Sequence, residues 1–83
     1  MEKTVNELFA ARAEAEMKAW DSLSRYKFMM FGYWAACWVK FNRILSKEFP
    51  PAKNPFKSVV DHARFKIKDL QETRRLTEKI KQG

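Results

Sequence analysis

The strongest apolar pattern in the chain lies in its middle, where hydrophobic side chains recur every three or four positions between residues 20 and 45. This spacing places side chains on one face of an α-helix, which has about 3.6 residues per turn. The members of this stripe are Trp20, Leu23, Met30, Trp34, Trp38, Phe41 and Leu45, with Lys27 in the same sector. The pattern predicts an amphipathic helix whose apolar face is unusually aromatic.

A second helix signal lies at the start of the chain. Thr4 followed by Glu7 has the form of a capping box, in which each side chain bonds the backbone N–H of the other residue. The residues after it are mostly good helix formers. Asp21 and Ser22 either start a new helix or lie within a helix that continues through them. Residues 5–48 therefore form one long helix or a pair broken near 21–22. Both possibilities are open at this stage.

The sequence "FPPAKNP" predicts a turn over residues 49–54, because consecutive prolines remove backbone donors and disfavour helix before them. Asn54 and Pro55 are typical of a helix start and predict a helix over 55–80. Its apolar stripe should pack antiparallel on the preceding helix. This stripe consists of Phe56, Val59, Val60, Ala63, Ile67 and Leu70, and a weaker one of Phe65, Leu76 and Ile80. The weaker stripe indicates either another contact or a solvated tail.

The segment "YKFMMFGYWAACWVK", residues 26–40, has more apolar surface than one neighbouring helix can cover. It is too short for a membrane span, which needs about 20 residues, and it lacks the polar face of a helix lying on a membrane surface. We therefore expect no membrane partner. Either the N-terminal helix folds over this segment, or a second copy or another protein does. Gly32 and Ala36, one turn apart, form a notch where another backbone could approach closely.

Chain length supports the expectation of a partner. A single domain of 83 residues buries only about 60–65% of the surface of its unfolded chain. One cysteine excludes an internal disulfide, and its presence in a chain without a signal-peptide pattern predicts a cytoplasmic protein. Three prolines and two glycines do not provide the turns of a sheet. We predict an all-α fold: a two- or three-helix antiparallel hairpin or bundle, one domain over 1–83, completed by homo-oligomerisation.

Residues with catalytic or metal-binding chemistry are few. One histidine and one cysteine cannot form a metal cage, and no glycine-rich phosphate loop is present. His62 is expected to be a solvated residue, and Cys37 a small core residue. The sequence predicts neither an enzyme, nor a cofactor, nor a metal site.

Charge is distributed unevenly along the chain, which has a formal net charge of +7. Residues 1–21 carry three basic and five acidic groups, a balance of −2, and the other 62 residues carry fourteen basic and five acidic groups, a balance of +9. Such asymmetry can steer a protein to nucleic acid or to an acidic protein surface. Four cations spaced to lie on one side of the middle helix are Arg25, Lys40, Arg43 and Lys47. They could follow a phosphate backbone or remain a solvated face.

The sequence "SRYKFMMFGYWAACWVKFNRI", followed by "NPF", resembles a type of small, mostly uncharacterised protein encoded by bacteriophages and prophages. The likeness covers residues 24–56. It implies that the protein binds and redirects a host factor or a defence complex. No functional residues can be carried over, because the type has no established motif.

Our functional hypothesis is a non-enzymatic helical binding protein that docks an aromatic and basic surface on a host macromolecule. Its anchors would be Tyr33, Trp34, Trp38 and Phe65, because aromatic residues dominate interface energetics. The four cations would provide electrostatic steering. The alternative is a basic nucleic-acid-binding module of low sequence specificity, and a third possibility is a self-assembling structural protein.

Overall fold

The computed structural model describes residues 4–82, so residues 1–3 and 83 of the predicted domain lie outside the described part. Over that range the chain is helical, without strands, which confirms the predicted all-α class. Three helices follow one another in this range: α1 is Val5–Ser24, α2 is Phe28–Leu45 and α3 is Lys57–Gln82. The middle segment predicted to be helical to residue 48 ends at Leu45, and residues 46–48 form a turn.

The start of α1 has the predicted capping box. The Glu7 N–H donates to Thr4 Oγ1 at 3.2 Å, and the Thr4 N–H donates to Glu7 Oε2 at 3.4 Å. These two bonds satisfy backbone donors that have no partner inside a helix. The cap therefore fixes where α1 begins.

The break between α1 and α2 lies at residues 25–27 and not near 21–22. Ser22 stays helical, because it is buried and its hydroxyl donates to the Lys18 carbonyl at 2.8 Å. The helix ends with two backbone bonds. The Tyr26 N–H donates to the Leu23 carbonyl at 3.1 Å, and the Lys27 N–H donates to the Ser22 carbonyl at 2.8 Å. This is the Schellman pattern of a helix C-terminus, with Tyr26 at the left-handed position.

The helices α1 and α2 pack as an antiparallel hairpin. The side chain of Arg12 near the start of α1 reaches Asn42 near the end of α2, whereas Trp20 near the end of α1 packs on Phe31 near the start of α2. At the interface Ala15 and Ala19 are fully buried. Such small side chains let the two helices approach closely.

The segment joining α2 to α3, residues 46–56, crosses back over this hairpin. At one end the Phe49 ring packs on the Phe9 ring at 5.4 Å. In the middle Asn42 Oδ1 accepts from the Ala52 N–H at 3.1 Å, and Asn42 Nδ2 donates to the Ala52 carbonyl at 3.2 Å. Because Asn42 Oδ1 also accepts from Arg12 Nη1 at 2.8 Å, one side chain ties this segment to both helices.

Phe56 ends this segment and completes the core. Its ring is 4% exposed and lies 5.1 Å from the ring of Trp20, 5.5 Å from that of Phe31 and 6.3 Å from that of Trp38. Asn54 Oδ1 accepts from the Phe56 N–H at 2.8 Å, so the predicted Asn54 and Pro55 signal forms a turn, and α3 begins two residues later than predicted.

The prediction that the last helix packs antiparallel on the middle helix is wrong. Only the first turn of α3 is near α2, where Val59 is partly buried, and every side chain described from Val60 to Ile80 is exposed. Along its described length α3 packs against neither α1 nor α2. The physical reason is that residues 49–56 already occupy the groove between α1 and α2, which a third helix would need.

The molecule is therefore elongated. Its radius of gyration is 18.4 Å, and its principal extents are 66 × 27 × 18 Å, whereas a compact domain of this length would have a radius of gyration of about 12 Å. A helix of 26 residues is about 39 Å long. The helix α3 thus forms an arm that accounts for more than half of the long axis.

We predict that Phe56→Ala lowers the free energy of unfolding by about 3–5 kcal/mol, because it removes a buried ring and leaves a cavity. Urea denaturation followed by tryptophan fluorescence measures this change. The matched control is Phe65→Ala, whose ring is exposed on α3 and whose loss should change stability by less than about 0.5 kcal/mol. Equal effects of the two substitutions would contradict the role given to Phe56.

Candidate functional site

The α1–α2 turn and the first turns of α2 form an exposed apolar surface, here called the aromatic tip. It consists of Tyr26, Phe28, Met29, Met30 and Tyr33. Met29 is 90% exposed and Tyr26 is 81% exposed. Monomeric proteins rarely expose contiguous apolar patches of this kind unless the patch binds something. The tip is therefore the first candidate for a binding surface.

Tyr26 adopts a backbone conformation that is unfavourable for its residue type. Its φ is 64°, in the left-handed region, which costs an L-residue other than glycine about 1–2 kcal/mol. Glycine is the usual residue at this position of a helix C-terminus. The phenol ring packs edge-on with Phe28 at 6.2 Å but stays 81% exposed. The stability lost at Tyr26 is thus not regained by burial, as expected for a residue that contributes to binding.

Two of the predicted anchors, Tyr33 of the tip and Trp34 beside it, lie together. Their rings pack edge-on with centroids 5.0 Å apart. Trp34 is partly buried, and Lys18 Nζ of α1 lies 4.4 Å from its ring centroid. A cation over the face of an indole is an attractive contact, and it holds the ring in place. Trp34 therefore forms the border between the tip and the hairpin core.

The structure places the other two predicted anchors elsewhere. Trp38 is 4% exposed and packs in the core against Phe56, so it does not reach the surface in this fold. Phe65 is exposed, but it belongs to the α3 arm and not to the tip. The prediction from aromatic spacing therefore grouped four side chains that lie in three parts of the fold. Trp38 is in the core, Tyr33 and Trp34 are at the tip and its border, and Phe65 is on the arm.

The notch predicted at Gly32 and Ala36 is open. A Cβ atom added at Gly32 would meet no atom within 4 Å, and Ala36 is exposed. No backbone of the part of the chain described here approaches Gly32, so close approach by another molecule stays a prediction. Both residues lie on the outer face of α2, which points away from α1.

Three of the four predicted cations form one surface, here called the basic face. Lys40, Arg43 and Lys47 are exposed and surround a shallow depression at the C-terminal end of α2. The floor of this depression is formed by Ala36, Val39 and Ile44. Because α2 contains no acidic residue, the positive charge of this face is not neutralised within its own helix.

Arg25 does not belong to the basic face, which corrects the prediction that four cations share one side of a helix. It lies at the C-cap of α1, and its guanidinium pairs with Asp21 at 3.4 Å. The break at residues 25–27 separates it from α2. Helical spacing cannot relate two residues across such a break.

Sequence reasoning missed four residues of the tip as anchors, namely Tyr26, Phe28, Met29 and Met30. One signal could have found Met29, which lies opposite the buried Trp38 on a helical wheel of α2. An apolar residue opposite the core-facing stripe of a helix is exposed unless another element covers it. No local signal indicated that residue 26 would stand at a helix end.

The side chains with catalytic or metal-binding chemistry are dispersed. Cys37 is partly buried in α2, and His62 is exposed on α3. Within residues 4–82 there is no group of three or more His, Cys, Asp or Glu side chains that could hold a metal ion. In the same part of the chain, no helix combines the length and the apolar character needed to cross a membrane.

Compared with known proteins, the chain matches no family model, no curated protein and no solved structure. The outer face of α2 therefore has to be interpreted from its own geometry. That face is apolar at the N-terminal end, has a notch in the middle and is cationic at the C-terminal end. An 18-residue helix makes it about 27 Å long.

We predict that Tyr26→Gly raises the free energy of unfolding by about 0.5–1 kcal/mol, because glycine adopts the left-handed conformation without steric cost. Chemical denaturation of the two proteins in parallel measures the difference. The control is Tyr33→Gly, which places glycine inside a helix and should lower stability by about 1 kcal/mol. A loss of stability in Tyr26→Gly would contradict the strain assigned to this residue.

Proposed function

We propose that the protein is a non-enzymatic helical binding protein that docks the outer face of α2 on another macromolecule and thereby inhibits or redirects it. The aromatic tip provides the apolar contacts, and the basic face provides long-range attraction. The observation that carries this proposal is the exposure of large apolar side chains at the tip, above all Met29 and Tyr26.

The composition of the surface supports a protein target. Tyrosine, phenylalanine and methionine are enriched at protein interfaces, where a few such side chains provide most of the binding energy. Methionine is flexible and adapts to irregular surfaces. The exposed notch at Gly32 and Ala36 between the tip and the basic face leaves room for a partner's backbone. The tip and the notch together form a contact surface of the kind that a partner helix or loop can fill.

The basic face supports a target with an acidic surface. Lys40 and Arg43 are exposed on α2, which has no acidic residue, and Lys47 is exposed in the turn that follows this helix. Charges at the edge of an interface raise association rates more than affinity. In this proposal the cations orient the protein as it approaches, and the tip then holds it.

The biological context of the proposal comes from the resemblance of residues 24–56 to small phage-encoded proteins. In that context the protein acts in the cytoplasm of a bacterial host, on a host factor or a defence complex. The anchors are now assigned as Tyr33 and Met29 at the tip, with Trp34 at its border.

We predict that the double substitution Met29→Ser and Tyr33→Ser abolishes capture of the partner from bacterial lysate by the tagged protein. Each anchor should contribute about 2 kcal/mol, and a loss of about 1.4 kcal/mol already lowers affinity tenfold. The measurement is a quantitative pull-down, with circular dichroism to verify folding.

The matched control for this experiment is Ile80→Ser, which removes an equally exposed apolar side chain from α3. It should capture the same partners as the wild type. If the double variant also captures them in equal amounts, the aromatic tip is not the docking surface.

A second candidate function is nucleic-acid binding of low sequence specificity, and the basic face favours it. Three cations within eight residues, two on α2 and one in the turn after it, could contact successive phosphates. Each phosphate contact changes log K by about 0.9 per unit of log salt concentration. The salt dependence of binding therefore distinguishes this function from docking on a protein.

We predict for this second function a slope of about −3 for log K against log salt with a labelled DNA duplex, if the three cations carry the binding. Replacing Lys40, Arg43 and Lys47 by glutamine should then remove the salt dependence. Fluorescence anisotropy gives both results. Failure to bind the duplex at low salt would exclude this candidate.

A further inference from the structure

The outer face of α1 is exposed and carries a defined pattern. Ala10, Ala13 and Met17 lie on it, spaced by three and four residues as in a coiled-coil seam. Three exposed acidic residues follow one edge of this seam at intervals of seven, namely Glu7, Glu14 and Asp21. This is the only helix of the three with more acidic than basic residues within its bounds. The seam is made of small side chains with one larger one.

The α3 arm carries a seam of complementary character. Val60, Ala63, Ile67 and Leu70 follow the same three-and-four spacing, and all of them are exposed. Lys57 and Arg64 lie along the edge of this seam, seven residues apart. The seam is mostly large side chains with one small one, and its edge is basic where that of α1 is acidic.

We propose that the α3 arm of one molecule packs antiparallel along the outer face of α1 of a second copy. One register brings the large side chains of each seam opposite the small ones of the other, which is how packed cores avoid voids and overlap. Its three layers are Met17 with Ala63, Ala13 with Ile67, and Ala10 with Leu70.

The same register also matches the charges. In an antiparallel pair the edge positions of equivalent phase face each other, so Glu14 meets Arg64 and Asp21 meets Lys57. Glu7 meets the uncharged Gln71. A shift of one heptad would also give two acid–base pairs, Glu7 with Arg64 and Glu14 with Lys57. The charges therefore favour antiparallel pairing of these two edges, and the side-chain sizes select the register.

The residues at these edges are available for new pairs. Glu14 pairs with Lys18 at 3.0 Å, Asp21 pairs with Arg25 at 3.4 Å and Lys57 pairs with Asp61 at 2.6 Å, all on exposed helical surfaces. Exposed pairs of this kind contribute little to stability. They can therefore be exchanged for contacts between molecules, or shared with them, at small cost.

The α1 helix of a second copy is a better partner for α3 than the hairpin of its own molecule or the α3 arm of another copy. Along the described residues α3 packs against neither α1 nor α2 of its own molecule. Two α3 arms packed antiparallel on each other would bring the cations of one edge against identical cations, which is destabilising. When two copies pack about a two-fold axis, this contact forms twice, so the proposed dimer contains two identical seams.

Charge reversal tests the proposal in the full-length chain by analytical ultracentrifugation. The wild type should sediment as a dimer with twice the 9.9 kDa mass of the chain, and Glu14→Arg or Arg64→Glu should each weaken dimerisation by about tenfold, because like charges then meet in both seams. The double variant carrying both changes should restore it. A monomeric wild type, unaffected single variants or an unrestored double variant would each overturn the proposal.

Cysteine crosslinking tests the register and excludes the other pairing. Chains with Cys37→Ser carry either Ala13→Cys or Ile67→Cys, and both sites are exposed, so folding should be retained. Mixing the two chains under mild oxidation should give a covalent dimer that neither chain forms alone. Crosslinking of the Ile67→Cys chain with itself would instead show α3 packed on α3, and the absence of a mixed dimer would reject the register. These faces do not include the tip or the basic face, so this result is independent of the proposed function.

Discussion

Phe56 lies between α1 and α2 with its ring against those of Trp20, Phe31 and Trp38, and the positions of the other elements depend on this contact. It brings residues 46–56 across the helical hairpin, so the groove is filled by an extended segment instead of a helix. Asn42 supports the same path through its paired bonds to Ala52. Because the N–H and the carbonyl of Ala52 both bond Asn42, neither of these two groups is left unpaired by the crossing. With the groove filled, α3 cannot pack between α1 and α2.

Structural features that depend on residues within one helical turn could be predicted from the sequence, whereas features that depend on contacts between distant residues could not. The capping box at Thr4 is local and is present as predicted, whereas α2 ends at Leu45, three residues before the predicted end at residue 48. The break at residues 25–27 was missed because a tyrosine takes the conformation that usually belongs to glycine. The position of α3 was missed for a different reason. A periodic stripe shows that a helix has an apolar face, but it does not say which surface that face will meet.

The candidate site shows the same difference between local features and features that depend on tertiary contacts. Tyr33 and Trp34 are adjacent in sequence, and Lys40, Arg43 and Lys47 follow one another at three- and four-residue intervals in α2 and the turn after it, so spacing alone could group them. Trp38 lies one turn after Trp34, yet it faces the core, because α1 presents alanines at that level and leaves room for the indole. Arg25 was grouped across a helix break that the sequence did not reveal. The tip itself depends on how the hairpin turns, which is a property of tertiary structure.

The attachment of α3 through its first turn has a consequence for local stability. Beyond Val60 the arm has no tertiary packing in the described structure, so its amide protons are protected only by helix propensity and by short-range ion pairs such as that of Arg74 with Glu78. Hydrogen exchange in the isolated chain should therefore be much faster in the distal arm than in the hairpin. A molecule that binds the arm must offset the entropy lost when the arm becomes ordered. The protection of amide protons along α3 would then show which part of the arm is bound.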